Sequence, residues 1–131
     1  MYDKYVIVGE EFKNVVRDGK VVGFQLGERL PYYRGVVLSL LGETRLTVDG
    51  ELIPPEKISL TVSGKTLPLT DAENEPVVKW EFGDVGILTV DKPGGLKPGP
   101  HSIVLYQHVR TPYIPRGVAA TDEKVLTYPL D

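Results

Sequence analysis

Cysteine is absent from this chain of 131 residues, and histidine occurs only twice. Without a thiol there is no disulfide scaffold, no thiolate zinc site and no cysteine nucleophile. The two histidines, His101 and His108, lie seven positions apart on one predicted strand. An odd separation turns their side chains to opposite faces of that strand, so we expect them not to share a metal ion.

Long apolar runs and an excess of positive charge are also missing. No apolar segment reaches the roughly 20 residues that span a bilayer, and the first residues do not form a signal peptide. Fifteen lysines and arginines stand against 18 acidic residues, a net charge of −3 that disfavours nucleic acid as a partner. These features predict a single soluble domain over residues 1–131, located in the cytoplasm and without a membrane partner.

Motifs for nucleophilic or acid–base catalysis are scarce. No serine lies in a Gly-x-Ser-x-Gly elbow, and no Ser-His-Asp set follows from the spacing. The carboxylates cluster in segments that we interpret as solvated loops, where nothing would raise a pKa for acid–base work. An alternative for Asp71, Glu73 and Glu75 is a calcium site, although their spacing matches no known calcium loop.

The apolar residues follow the two-residue period of β-strands. Ile58, Leu60 and Val62 alternate with polar residues, and His101, Ile103, Leu105 and Val109 share one face. The segment with Val78, Trp80 and Phe82 alternates in the same way, which predicts that all three side chains point inward and that Trp80 lies in the core. About eight to ten short strands at this spacing predict an all-β fold, an antiparallel β-sandwich of the immunoglobulin-like kind.

Turn chemistry separates the predicted strands. Asp18-Gly19 and Asp49-Gly50 supply the positive backbone angles of two-residue hairpin turns. Glycine and proline are spread too evenly for a long helix, and the best helical candidate, residues 70–74, is a loop or a single turn. The segment from Leu96 to Leu105 resembles the corner of immunoglobulin-like folds, with His101 in place of the tyrosine that bonds back to the backbone.

Two loops combine proline, tyrosine and arginine, the residue types that are enriched where protein surfaces meet. The first contains Tyr32, Tyr33 and Arg34, and the second contains Arg110, Tyr113 and Arg116. Either the aromatic side chains fold back as lids on the core, or they form a contact patch or pocket wall. Because the same chemistry occurs twice in one small domain, we favour a role for all six residues in contacting a partner or a substrate.

The chain resembles a known family, the β subunits of C-glycoside deglycosidases. The resemblance extends from the N-terminus to about residue 113, and it rests on the order and spacing of several short motifs. They are Tyr2-Asp-Lys-Tyr5, Phe12-Lys-Asn-Val15, Gly23-Phe24-Gln25, Pro31-Tyr-Tyr-Arg-Gly35, Val48-Asp-Gly50, Trp80-Glu-Phe-Gly83 and Lys92-Pro-Gly-Gly-Leu-Lys-Pro-Gly99.

The resemblance implies a non-catalytic accessory subunit of a lyase-type hetero-oligomer. In that complex a larger α subunit carries the base and a divalent metal such as manganese, so no cofactor or catalytic residue is expected on this chain. The implied substrate is a 3-oxo-C-glycoside, for example of a flavonoid. Its ketone acidifies the neighbouring C2 proton, and removal of that proton leads to elimination of the aglycone and cleavage of the carbon–carbon bond.

Two other functions compete with this interpretation. A stand-alone carbohydrate-binding module would use a flat row of exposed aromatic rings, for which Tyr32, Tyr33 and Tyr113 are the candidates. A small β-sandwich enzyme that works through a pair of carboxylates would instead show a bell-shaped pH profile when tested alone.

Overall fold

A computed structural model describes residues 6–111 and 114–129. All of its strand pairings are antiparallel, and its helices are three short 3-10 turns. The strands are β1 (Ile7–Arg17), β2 (Lys20–Glu28), β3 (Val36–Val37), β4 (Leu41–Val48), β5 (Glu51–Leu52), β6 (Ile58–Val62), β7 (Lys65–Pro68), β8 (Lys79–Trp80), β9 (Gly86–Asp91), β10 (Gly99–Val109) and β11 (Val118–Tyr128). The 3-10 turns are η1 (Leu38–Leu40), η2 (Pro55–Lys57) and η3 (Leu69–Asn74).

The strands form two main sheets and one small ribbon. The first sheet has the order β1-β2-β9-β6-β7, the second has the order β11-β10-β4-β5, and β3 pairs with β8. The all-β, antiparallel class predicted from the sequence is confirmed. None of the helical turns in the described part of the chain has the length and apolar character needed to cross a membrane.

One hydrophobic core collects the inward faces of both sheets. Phe24 and Leu26 from the first sheet are fully buried, as are Leu46 and Leu105 from the second. Burial alternates along these strands, for example over Ile58–Val62, as the two-residue period predicted. This core is the largest favourable contribution to folding in the structure, since burial of each such side chain contributes about 1.5–3 kcal/mol.

The hairpin turns follow the sequence signals closely. Asp18 and Gly19 both have positive φ, as do Asp49 and Gly50, which is the backbone conformation of a type I′ turn. Residues 69–74 form η3, a short 3-10 segment where the sequence predicted a loop or a single turn.

The prediction for Phe82 was wrong. Trp80 is fully buried, as predicted, but Phe82 is 56% exposed. The strand β8 ends at Trp80, so its alternation does not extend to residue 82. Residues 82 and 83 form a turn instead, in which Gly83 has a φ of 85°.

Candidate functional site

The loop from Tyr32 to Arg34 has one buried ring and one exposed ring. Tyr32 is only 6% exposed and belongs to the core cluster, whereas Tyr33 is 47% exposed. The two ring centroids lie 4.8 Å apart, and the Arg34 guanidinium carbon lies 5.3 Å from the centroid of the Tyr33 ring. Tyr32 therefore acts as a support beneath Tyr33, while Tyr33 and Arg34 present an aromatic face and a cation to solvent.

The loop that contains Phe82 runs beside this first loop. Because β3 pairs with β8, with Val36 opposite Trp80, the residues just before β3 run beside those just after β8. The approach is close at Gly35, where a Cβ atom would lie 3.0 Å from the Trp80 carbonyl oxygen. We call the exposed surface of Tyr33, Arg34 and Phe82 the aromatic patch. The sequence did not indicate Phe82 as part of it, because the predicted strand was extended past Trp80, where β8 ends.

The aromatic patch does not have the geometry of a sugar platform. Stacking on a sugar requires a flat row of exposed rings, but the planes of Tyr32 and Tyr33 are inclined by 58° and Tyr32 is buried. Tyr113, the third ring of that hypothesis, lies outside the described residues. The exposed aromatic, cationic and apolar groups are instead the combination that is common at the centre of protein interfaces.

The second predicted loop connects β10 to β11. Arg110 is exposed and follows β10 directly, and its backbone N–H donates to the Leu40 carbonyl at 2.7 Å. Arg116 is also exposed, and its carbonyl oxygen lies 2.7 Å from Nε2 of His108. Over residues 6–111 and 114–129 no hydrogen bond, ion pair or ring contact links Arg110 or Arg116 to Tyr33 or Arg34.

Arg110 borders an open groove of about 490 Å³. The groove runs between β4 on one side and β5 and η3 on the other. Its walls include apolar side chains such as Leu52, Ile53 and Leu69, with Glu73 and Arg110 among the charged residues that border it. It is within the size range of about 300–1,000 Å³ that ligand sites occupy.

His101 holds the corner that the sequence predicted for it. Its Nδ1 lies 2.7 Å from Asp49 Oδ2, and its Nε2 lies 2.7 Å from the Lys97 carbonyl oxygen. Both neighbours are acceptors, so the charged, doubly protonated ring satisfies both. Desolvation lowers the pKa of His101, but the hydrogen bonds to Asp49 and to the Lys97 carbonyl outweigh it, so the pKa is raised. The pKa of Asp49 is lowered, because its carboxylate accepts hydrogen bonds from His101 and from the Ser102 backbone N–H.

Glu28, at the end of β2, is an ionisable side chain inside the core. It continues the inward face of Phe24 and Leu26 and is 0% exposed. Neither carboxyl oxygen has a hydrogen-bond partner within the described ranges, and burial raises the pKa of this group to about 8. Sequence reasoning did not single out Glu28, although its place in the alternation after two apolar residues was a readable signal.

The acidic segment at η3 does not gather around a common point. The Glu75 carboxylate accepts bonds from the backbone N–H groups of Val77 and Val78, which lower its pKa. Across the portion of the chain that the structure covers, no three histidine, aspartate or glutamate side chains lie close enough together to hold a metal ion. The calcium alternative for Asp71, Glu73 and Glu75 is therefore not supported.

Comparison with known proteins confirms the family that the sequence motifs indicated. The sequence model of the family described as "C-glycoside deglycosidase beta subunit" matches residues 2–113. The C-glycoside deglycosidase beta subunit of Eubacterium cellulosolvens is 34% identical over 102 residues, which are 77% of this chain and 69% of that protein. The 3'-dehydrocarminate deglycosidase beta subunit of a Microbacterium species is 30% identical over 130 residues, 95% of this chain and 93% of that protein. The chain belongs to the family of C-glycoside deglycosidase beta subunits.

Proposed function

We propose that this chain is the non-catalytic accessory subunit of a complex that cleaves the carbon–carbon bond of 3-oxo-C-glycosides. A larger α subunit supplies the base and a divalent metal such as manganese. The ketone at C3 acidifies the C2 proton, the base removes that proton, and the aglycone leaves by elimination. The complex is a cytoplasmic hetero-oligomer, and this chain contributes an immunoglobulin-like sandwich as its scaffold.

The observation that carries the proposal is the aromatic patch on a member of a family of beta subunits. Relatives with this name are, by their description, parts of a larger assembly. Tyr33 and Phe82 are large rings that are 47% and 56% exposed, and Arg34 lies against one of them. Exposed aromatic and arginine side chains are frequent hot spots of binding, so the aromatic patch is where the larger subunit is expected to dock.

The first test is to replace Tyr33 and Arg34 together by alanine and to measure subunit affinity and turnover. Loss of two central interface residues costs roughly 2–4 kcal/mol, so the dissociation constant should rise roughly 30-fold to 1,000-fold. At subunit concentrations near the original dissociation constant, turnover of a 3-oxo-C-glycoside should fall because less of the complex forms. Val125→Ala, an exposed change on β11, serves as the control and should alter neither quantity.

Unchanged affinity and turnover in the double variant would remove the contact role of the aromatic patch. The assignment of catalysis is tested separately, with the purified chain alone. It should fold but show no activity on a 3-oxo-C-glycoside. Turnover by the isolated chain would contradict the proposal that the base belongs to the larger subunit.

A further inference from the structure

The edge of β4 is only half covered by its neighbour in the sheet. β5 pairs with Thr47 and Val48, and the backbone N–H of Ile53 extends this pairing by donating to the Leu46 carbonyl at 2.8 Å. Pro54 and Pro55 follow, and proline has no N–H with which to continue a ladder. The half of β4 from Leu41 to Arg45 therefore has no strand beside it on this edge in the described structure.

The backbone of Thr44 faces this open edge. In an antiparallel strand, alternate residues turn their N–H and C=O groups to opposite neighbours. Leu46 bonds toward β5 through Ile53, whereas the N–H of Asp49 donates to the Ser102 carbonyl of β10 at 2.8 Å. Even-numbered residues over this stretch thus point to the β5 side and odd-numbered residues to β10, which leaves the N–H and C=O of Thr44 facing the groove.

The groove provides room for another strand beside that edge. Its volume is about 490 Å³, and its wall includes the whole stretch from Leu41 to Arg45. Five extended residues span about 17 Å, and neighbouring strands lie about 4.8 Å apart. On the opposite wall, Leu52 is 57% exposed and Leu69 is half-buried, so aliphatic side chains of an incoming strand would find apolar partners there.

The charged residues that border the groove indicate which side chain an incoming segment would carry. Arg45 already has partners, because its Nε lies 3.4 Å from Glu43 Oε2 and its guanidinium carbon lies 4.2 Å from the centroid of the Tyr106 ring. Arg110 has no carboxylate within ion-pair distance among residues 6–111 and 114–129. An acidic side chain on the incoming segment would complement Arg110, and arginine can hold it with two parallel hydrogen bonds.

We infer that the open edge of β4 binds an extended segment of the larger subunit by strand addition, with aliphatic side chains against Leu52 and Leu69 and an acidic side chain at Arg110. Strand addition uses the main chain for affinity and side-chain pockets for specificity. This inference rests on the proposed function, because it takes the larger subunit as the partner. It adds to the aromatic patch a second point of contact of a different chemical kind.

Hydrogen exchange of single amides, followed by NMR on the full chain with and without the larger subunit, tests the inference directly. The Thr44 amide should exchange readily in the free chain and slow by roughly ten-fold or more in the complex. The Arg45 amide serves as an internal control, because it points toward β10 and should change little. Leu52→Asp should weaken assembly roughly ten-fold or more, whereas Val16→Asp, an equally exposed change on β1, should not.

The possible outcomes separate the two proposals. If the complex forms and the Thr44 amide is unchanged, strand addition is overturned while the accessory-subunit function stands. If no complex forms with the larger subunit, both are overturned. Slow exchange of the Thr44 amide in the concentrated chain alone would place a second copy in the groove, which also overturns the inference.

Discussion

Glu28 shows how one residue couples stability to pH. It is 0% exposed, it lies opposite Ile7 on β1 and Gly86 on β9, and neither oxygen has a partner within the described ranges. An unpaired carboxylate is costly in such a setting, so the folded chain keeps the carboxyl protonated to a pKa of about 8. The unfolded chain releases this proton near its usual pKa of 4.5.

The direction of the pH dependence of stability follows from the two pKa values. Because the folded pKa is the higher one, the folded state binds more protons between pH 4.5 and about 8. The stability associated with Glu28 is therefore complete below pH 4.5 and is lost as the pH rises through about 8. The expected slope is about 1.4 kcal/mol of unfolding free energy per pH unit within this window.

Replacing Glu28 by glutamine should remove this slope, since the amide has nearly the same shape and does not ionise. Urea unfolding of both proteins at four or five pH values from 4.5 to 9 measures the difference. The unfolding free energy of the variant should rise relative to that of the original chain as the pH rises. The curve of Glu10→Gln, an exposed change, should run parallel to that of the original chain. Parallel curves for Glu28→Gln and the original chain would show that the folded state ionises Glu28 without cost.

At the scale of elements, the ribbon of β3 and β8 carries the aromatic patch, and Trp80 fixes the ribbon to the first sheet. The indole N–H of Trp80 donates to the Asp84 carbonyl at 2.9 Å, which holds the turn that contains Phe82. Its ring lies over Gly86 of β9, where a Cβ atom would be 2.6 Å from Trp80 Cζ2. The aromatic patch therefore holds its position only if residue 86 is a glycine.

Gly86→Ala should destabilise the chain and weaken binding of the larger subunit together. Overpacking of a filled core costs about 1–3 kcal/mol, and relief of the clash requires Trp80, and with it β8, to shift. Urea unfolding and a binding titration measure the two effects. Gly9→Ala is the matched control, because its Cβ would meet only the flexible tip of Leu126, at 2.9 Å. Unaltered stability and binding in Gly86→Ala would mean that the ribbon is not held by this contact.

The sequence revealed those elements whose structure is set by local chemistry. Two Asp-Gly turns, the buried Trp80 and the His101 corner follow from backbone preference and alternation within a few residues. The alternation failed for Phe82 because it holds only while the strand lasts, and β8 ends two residues earlier.

Other features needed the packed fold. For Tyr32 and Tyr33, adjacency alone does not decide which ring is buried, since that depends on how the loop meets the core. The groove beside β4 has walls from four separate parts of the chain, so no local pattern indicates it. The open edge of β4 likewise depends on which strand lies beside it in the sheet.

At the scale of the whole molecule, the two main sheets form a scaffold that carries the aromatic patch and the groove on different elements. The aromatic patch belongs to the ribbon and its flanking loops, whereas the groove belongs to the second sheet and η3. A partner that uses both would bury more surface than either contact provides. Such a partner stabilises the folded chain by mass action, because it binds the folded state and not the unfolded one.

This linkage predicts the thermal unfolding of the chain in the presence of the larger subunit. At a partner concentration about 100 times the dissociation constant, the gain is about 2.7 kcal/mol, or a rise of roughly 5–15 °C in the Tm of a domain of this size. The rise should grow with the logarithm of partner concentration. Scanning calorimetry, or fluorine NMR of a chain labelled at its single tryptophan, follows the unfolding of this subunit within the mixture.

Phe82→Ala separates the effect of docking from that of folding. Because this ring is 56% exposed, its loss should change the Tm of the chain alone only slightly, while the partner-induced rise becomes smaller at the same partner concentration. Val77→Ala, at another exposed apolar residue, should leave the rise intact, since Val77 lies outside the aromatic patch and the groove. A full rise with Phe82→Ala would place the docking surface away from the ribbon, and a rise lost equally in both variants would show that exposed apolar area, not this particular surface, governs assembly.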